Sequence, residues 1–188
     1  GVEKDLRRSV HWFCKAAEQG SIEGGYSLGV ACQNGEGLKK NLNAAARWYT
    51  LAAEKGHMKA QCNLGNRYYR GEGVEKNLVQ AAHWFKKAAV QGNDGAQYFL
   101  GFAYDYGEGV EKDQAQAIHW YTKAAEQDNL SAQVNLGNLY LLEEDWGPSA
   151  HWFAKAASQG DWYAQTELGF LYKEGDGVEK DLVQAAHW

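Results

Sequence analysis

Apolar and polar positions alternate along this chain in two helical registers. In AQCNLGNRYYRGEG, Leu64 and Tyr68 stand four apart on one helix face, with Gly65 beside them. In NLVQAAHWFKKAAVQG, Ala81, Phe85 and Ala88 are spaced four and three. That small-large-small stripe suits one helix packing tightly on another. The two patterns predict a pair of amphipathic helices.

The pair repeats. The triplet (H/R)-W-(F/Y) begins at His11, Arg47, His83, His119 and His151, and its first two residues return at His187, in steps of 36, 36, 36, 32 and 36 residues. The dipeptide LG returns in the same rhythm at Leu28, Leu64, Leu100, Leu136 and Leu168. A period of this length marks stacked repeats, each burying its apolar face against a neighbour. Glycine is a poor helix former, so its return at Gly29, Gly65, Gly101, Gly137 and Gly169 predicts close approach of a neighbouring helix.

The helix ends are marked as well. Asn77, Asp113 and Asp181 are good N-caps, each with a glutamine three residues later in the capping-box position. Gly20, Gly56, Gly92 and Gly160 stand where a left-handed residue closes a helix. The GEG and GDG turns at Gly35, Gly71, Gly107 and Gly175 give positive φ between antiparallel partners, and Val74, Val110 and Val178 are expected to plug those turns into the core.

The fold class expected is all-α: a solenoid of about five antiparallel helix pairs. A single array is expected over residues 1–188, truncated within a repeat at both ends, with monomeric behaviour or weak self-association through the open ends. Composition narrows the function. The formal net charge is -5 with both signs interspersed, which argues against a general nucleic-acid binder needing a basic face. No apolar run is long enough to insert into a membrane. Three cysteines cannot form a complete intramolecular disulfide set, so free, partly buried thiols are expected.

The unit A-x-x-x-L-G-x-x-Y-x-x-G-x-G-V-x-K-D, followed by A-x-x-W-(F/Y)-x-K-A-A-x-Q-G, resembles the Sel1-like repeat, a longer-looped relative of the tetratricopeptide repeat. The resemblance covers the whole chain. It implies a right-handed superhelix acting as a non-enzymatic scaffold or adaptor for other proteins, with no cofactor. It also implies that bacterial members are often exported or periplasmic and touch host or envelope proteins. The disulfide-bridged subgroup of that family carries cysteines at one repeat position, and Cys14, Cys32 and Cys62 do not follow that pattern.

Catalytic and metal-binding chemistry is sparse. His11, His83, His119, His151 and His187 occupy one repeat position, so they form a row spaced by packed helices, about 10 Å apart. Zinc requires ligand atoms converging at about 2 Å. No serine has a lysine three residues on, so the S-x-x-K device of penicillin-binding enzymes is missing. Trp12, Trp48, Trp84, Trp120 and Trp152 share one repeat position and read as packing residues, whereas Trp146 and Trp162 lie outside it. Two other function classes remain in view: a carbohydrate or peptidoglycan binder, which needs exposed aromatics together in one groove, and a cell-wall or β-lactam-related enzyme, which needs a convergent acid-base pair.

Positions that vary between repeats are where a partner is expected. By the tetratricopeptide arrangement, the LG helix of each pair lines the concave groove. The expected contacts are Tyr69, Arg70, Tyr98, Phe102, Asp105, Tyr106, Leu141, Phe170 and Lys173, with an extended segment or helix of a partner protein as ligand. The turn YLLEEDWGPSA has lost the glycine loop and four residues. Pro148 fits the first position of a helix capped by Gly147, which predicts a helix that starts late and is shorter than its counterparts. Trp146 is expected to fold back into the space left by the missing valine.

Overall fold

The structure, a computed structural model, describes residues 2–188 and the side chains from residue 5 onward. Among the described residues every regular element is an α-helix: α1 (Val2–Glu18), α2 (Ile22–Asn34), α3 (Leu42–Glu54), α4 (Met58–Arg70), α5 (Leu78–Val90), α6 (Asp94–Tyr106), α7 (Gln114–Ala125), α8 (Leu130–Leu142), α9 (Trp146–Ser158), α10 (Trp162–Glu174) and α11 (Leu182–His187). None is long and apolar enough to cross a membrane. The even-numbered helices carry the LG dipeptide, and α1, α3, α5, α7 and α9 carry the tryptophan triplet. The chain divides into two compact bodies, α1–α6 up to Lys112 and α7–α11 from Asp113.

In the first body, the aromatic ring after each repeat tryptophan is driven into the neighbouring LG helix. Tyr49 and Phe85 are fully or almost fully buried, at 0% and 2% exposure. Their rings lie against Gly29 and Gly65, where an added Cβ would come within 2.7 Å of them. The predicted close approach is therefore a ring seated on a glycine. Ala81, Phe85 and Ala88 are all buried. The Tyr49 hydroxyl donates to Gln33 Oε1 at 2.8 Å, so the buried phenol proton has a partner. In the second body Phe153 fills the same role on Gly137, at 2.6 Å from the added Cβ.

Turns are set by caps and glycines together. Asn77 and Asp113 side chains accept the N–H groups of Gln80 and Gln116 at 3.0 Å, and Asp181 accepts from Val183 and Gln184. After α1, α3, α5 and α9 a glycine takes a left-handed φ, as at Gly56 (φ 90) and Gly160 (φ 88), and after α7 Asp128 takes that place with φ 61. The second glycine of each GEG turn does more than turn the chain. A Cβ on Gly73 would meet the Leu42 carbonyl oxygen at 2.1 Å, and one on Gly109 would meet the Leu78 oxygen at 2.1 Å. The turn thus rests directly on the backbone that starts the preceding tryptophan helix. Val74 and Val110 are half-buried, and Val178 packs on the second core.

The shortened turn departs from expectation. Helix α9 begins at Trp146 and has 13 residues, as many as α3 or α5. Pro148 sits inside its first turn, where backbone N–H groups have no helical partner, so the missing proline donor costs no hydrogen bond. The cap residue is Asp145, not Gly147, and its side chain makes no capping hydrogen bond. Glu144 takes a left-handed φ of 58, the role glycine has in the other turns. The lost glycine contact is replaced by Gln114, whose Nε2 donates to Glu143 Oε1 at 2.7 Å. Trp146 is half-buried against the cluster of Phe153, Leu168 and Leu171, so it does fold back.

A candidate partner-binding face

Helix α6 is held at both ends: Asn93 Oδ1 accepts from the Ala96 N–H at 2.8 Å, and Gly107 closes it with φ 72. Between these caps, Tyr98, Phe102 and Tyr106 fall one helical turn apart on one face. Phe102 and Tyr106 stack with centroids 4.4 Å apart and planes 30° apart, and Tyr98 lies 6.5 Å from Phe102. Tyr98 and Phe102 are half-buried, whereas Tyr106 is 63% exposed. The strip therefore has a supported base and an open tip.

Its support comes from a residue that the sequence reading passed over. Phe99 stacks on Phe85 at 4.9 Å and 13°, meets Tyr98 edge-on at 5.2 Å and reaches Tyr69 at 6.1 Å. It ties the exposed strip to the buried ring on Gly65. The corresponding positions elsewhere are Ser27, Asn63, Asn135 and Glu167, so an aromatic among polar residues was the available signal.

Tyr69 borders the same face. Burial, and then the Glu108 carboxylate, push its phenol above the usual range. Lys76 Nζ lies 5.9 Å from its ring centroid, and Arg70 beside it is exposed. Asp105 is half-buried. Tyr69, Phe99, Tyr98, Phe102 and Tyr106 thus form a continuous run of rings, with exposed Arg70 beside Tyr69. In the second body, Leu141 is half-buried against the α9–α10 core, Phe170 is 54% exposed, and Lys173 pairs with Glu174 at 3.3 Å.

The repeated tryptophans behave mostly as packing residues. Trp84, Trp120 and Trp152 are 8%, 7% and 8% exposed. Each carries a lysine over its ring, Lys87 at 4.6 Å, Lys123 at 5.0 Å and Lys155 at 4.9 Å. Each also meets its own histidine edge-on, as His83 does Trp84 at 5.2 Å. Trp12, on the first described helix, is 63% exposed, and Trp48 is half-buried. Of the two tryptophans outside the repeat position, Trp146 is half-buried against the core and Trp162 is 75% exposed, so they form no common stacking platform. Among the described residues no three His, Cys, Asp or Glu side chains are grouped to hold a metal ion. Cys14 and Cys62 are half-buried and Cys32 is buried, all as free thiols.

No curated protein matches the chain. Among solved structures, c5321, a protective antigen of uropathogenic Escherichia coli strains with an SLR fold, is 41% identical over 97% of this chain with a TM-score of 0.93. The chain spans 40% of that antigen's length. A Sel1 repeat protein from Oxalobacter formigenes is 28% identical over 96% of this chain and 80% of its own, with a TM-score of 0.81. Cysteine rich protein B of Helicobacter pylori is 26% identical over 70% of this chain and 95% of its own, with a TM-score of 0.54. The Sel1 repeat family itself matches residues 1–21, 25–57, 59–93, 95–129, 130–161 and 162–188. With its paired helices, ring-on-glycine contacts and glycine turns, the chain is a Sel1 repeat protein, an all-helical solenoid of the SLR type.

Proposed function

We propose that the chain is a non-enzymatic scaffold whose first body holds a partner polypeptide along α6. Sel1 repeat solenoids commonly serve protein interaction, which supports the general class. The observation that carries the specific reading is the strip of Tyr98, Phe102 and Tyr106, stacked, preorganised by Phe99 and open at its tip. The framework needs none of these three rings, because the equivalent positions elsewhere include Cys62, Asn66 and Arg70. Rigid aromatics next to an arginine bury much area with little loss of rotamer freedom, which is the make-up of binding hot spots. Tyr69 and Arg70 flank the apolar anchors, and Asp105 sets register with Arg70. Leu141, Phe170 and Lys173 are partner contacts of the second body in their own right.

The test is affinity capture from bacterial envelope and host extracts with mass spectrometry, run in parallel on the chain and on Phe102→Ala with Tyr106→Ala. A protein retained by the parent and lost from the double variant supports the reading. Identical capture by both overturns it.

A further inference from the structure

A second binding feature lies at the opposite end of the first body, where one repeat lacks a side chain that the others use. Gln61, Gln97, Gln133 and Gln165 occupy the same repeat position. Each donates Nε2 to the carbonyl near the end of the preceding helix: Ala53 at 3.0 Å, Ala89 at 3.1 Å, Ala125 at 3.1 Å and Ala157 at 3.3 Å. Each of those carbonyls also accepts a turn N–H, so both lone pairs are used, as with Gly56 on Ala53 at 3.0 Å. The glutamine oxygen is served in turn by a glutamine of the next helix, Gln91 to Gln61 at 2.7 Å and Gln159 to Gln133 at 2.8 Å.

In the first repeat this position is Gly25. The Ala17 carbonyl accepts the Gly20 N–H at 2.9 Å, and Gly25 has no side chain to supply the second donor. The place of the oxygen-serving glutamine is taken by Lys55, whose Nζ donates to the Gly20 carbonyl at 3.2 Å. What remains is a pocket of about 120 Å³ among Ala17, Gly25, Trp48, Leu51 and Lys55. Trp48 lines it and is half-buried, whereas Trp84 at the same repeat position is 8% exposed.

Gly25 is not required by the backbone or the packing. It is helical, and a Cβ built on it meets nothing nearer than Trp48 Cε3 at 4.0 Å. Its neighbour Gly24 is the close-approach glycine, with an added Cβ 2.7 Å from Ala16 Cβ. The backbone at Gly25 therefore leaves room for a side chain that the repeat does not carry.

We propose that this pocket is a socket for a carboxamide, filled by a glutamine side chain of a bound polypeptide. The amide N–H donates to the Ala17 carbonyl, the amide oxygen accepts from the Lys55 ammonium, and the two-carbon stem lies on Trp48 and Leu51. The four glutamines of the other repeats show what the socket's chemistry holds. This site is separate from α6 and does not depend on it.

The probe is butyramide, which reproduces a glutamine side chain from its α-carbon, titrated into the chain and followed by amide and indole NMR. Saturable shifts confined to Trp48, Ala17, Gly25 and Lys55 are expected, with a dissociation constant on the order of ten millimolar for so small a ligand. Methyl butyrate, which accepts but cannot donate, should bind about tenfold more weakly, the loss of one hydrogen bond. Gly25→Gln should abolish the butyramide response and raise the melting temperature. Equal responses to amide and ester, no response to butyramide, or a response that survives a folded Gly25→Gln would each overturn the socket. None of these outcomes bears on Phe102 and Tyr106.

Discussion

The Phe85 ring stands where a side chain on Gly65 would have to be: a Cβ there would lie 2.7 Å from both Cδ1 and Cε1. Glycine within a helix costs about 1 kcal/mol relative to alanine, yet here the swap should be unfavourable. Gly65→Ala is expected to destabilise the chain by about 1–3 kcal/mol through overpacking, net of the propensity gain. Urea denaturation checks the sign. In a Phe85→Ala background the same change should be neutral or stabilising, and an additive double-mutant cycle would show that the ring is not the obstacle.

Two left-handed glycines should separate by their surroundings. Gly56 has φ 90 and nothing within 4 Å of an added Cβ, so Gly56→Ala should cost only the conformational term, about 1–2 kcal/mol. Gly73 has φ 78 and the Leu42 carbonyl at 2.1 Å, so Gly73→Ala adds a backbone collision that no rotamer relieves. Thermal unfolding should rank Gly73→Ala well below Gly56→Ala. Similar melting temperatures would mean that the turn does not rest on α3.

Thiol chemistry should follow burial. Burial, helped by the Asp94 charge, pushes Cys62 up to about 11, and burial raises Cys32. At pH 8 only about one Cys62 in a thousand is thiolate, the reactive form. Cys14 should label first, and Cys62 labelling should rise about tenfold per pH unit until about 11. Rapid labelling of all three at pH 8 would contradict the packing.

The same shifts predict alkaline unfolding. Cys62 and Tyr49, at about 11 and about 12, hold their protons more tightly folded than at their ordinary values of 9.0 and 10.0. Their contribution is complete below pH 9 and is lost as pH rises through those folded values. Denaturant midpoints should fall between pH 9 and 12, and Cys62→Ala should shift the onset upward. A flat profile across that range would count against burial of both groups.

Glu144 carries the turn conformation that glycine carries elsewhere. Glu144→Gly should stabilise the chain by about 1 kcal/mol by relieving a left-handed φ of 58. A lower melting temperature would show that the Glu144 side chain contributes more than its backbone costs.

Much of the framework was readable because glycine inside a helix needs a reason. Gly65 announced a close approach, but the sequence did not say that the neighbour is the Phe85 ring. Gly73 announced a left-handed turn, while its contact with the Leu42 carbonyl depends on how successive pairs stack. Pro148 does not mark the start of α9, because any residue of the first turn can lack its N–H. On the candidate face, the four-residue spacing of Tyr98, Phe102 and Tyr106 was visible. Phe99 was not, since its importance lies in linking two helices. The socket at Gly25 emerged only when the hydrogen bonds of four glutamines defined what was missing.

The most direct test is the affinity of the partner identified by capture, measured by calorimetry for the parent chain, for Phe102→Ala with Tyr106→Ala, and for Lys86→Ala. Lys86 is exposed on α5 and is not part of the aromatic strip, whereas its neighbour Lys87 lies over Trp84. Loss of hot-spot aromatics should weaken binding by at least about 2 kcal/mol, roughly thirtyfold in Kd, with Lys86→Ala unchanged and all three chains equally helical. Unaltered affinity of the double variant together with loss on Lys86→Ala would place the partner on the tryptophan helices and contradict the account.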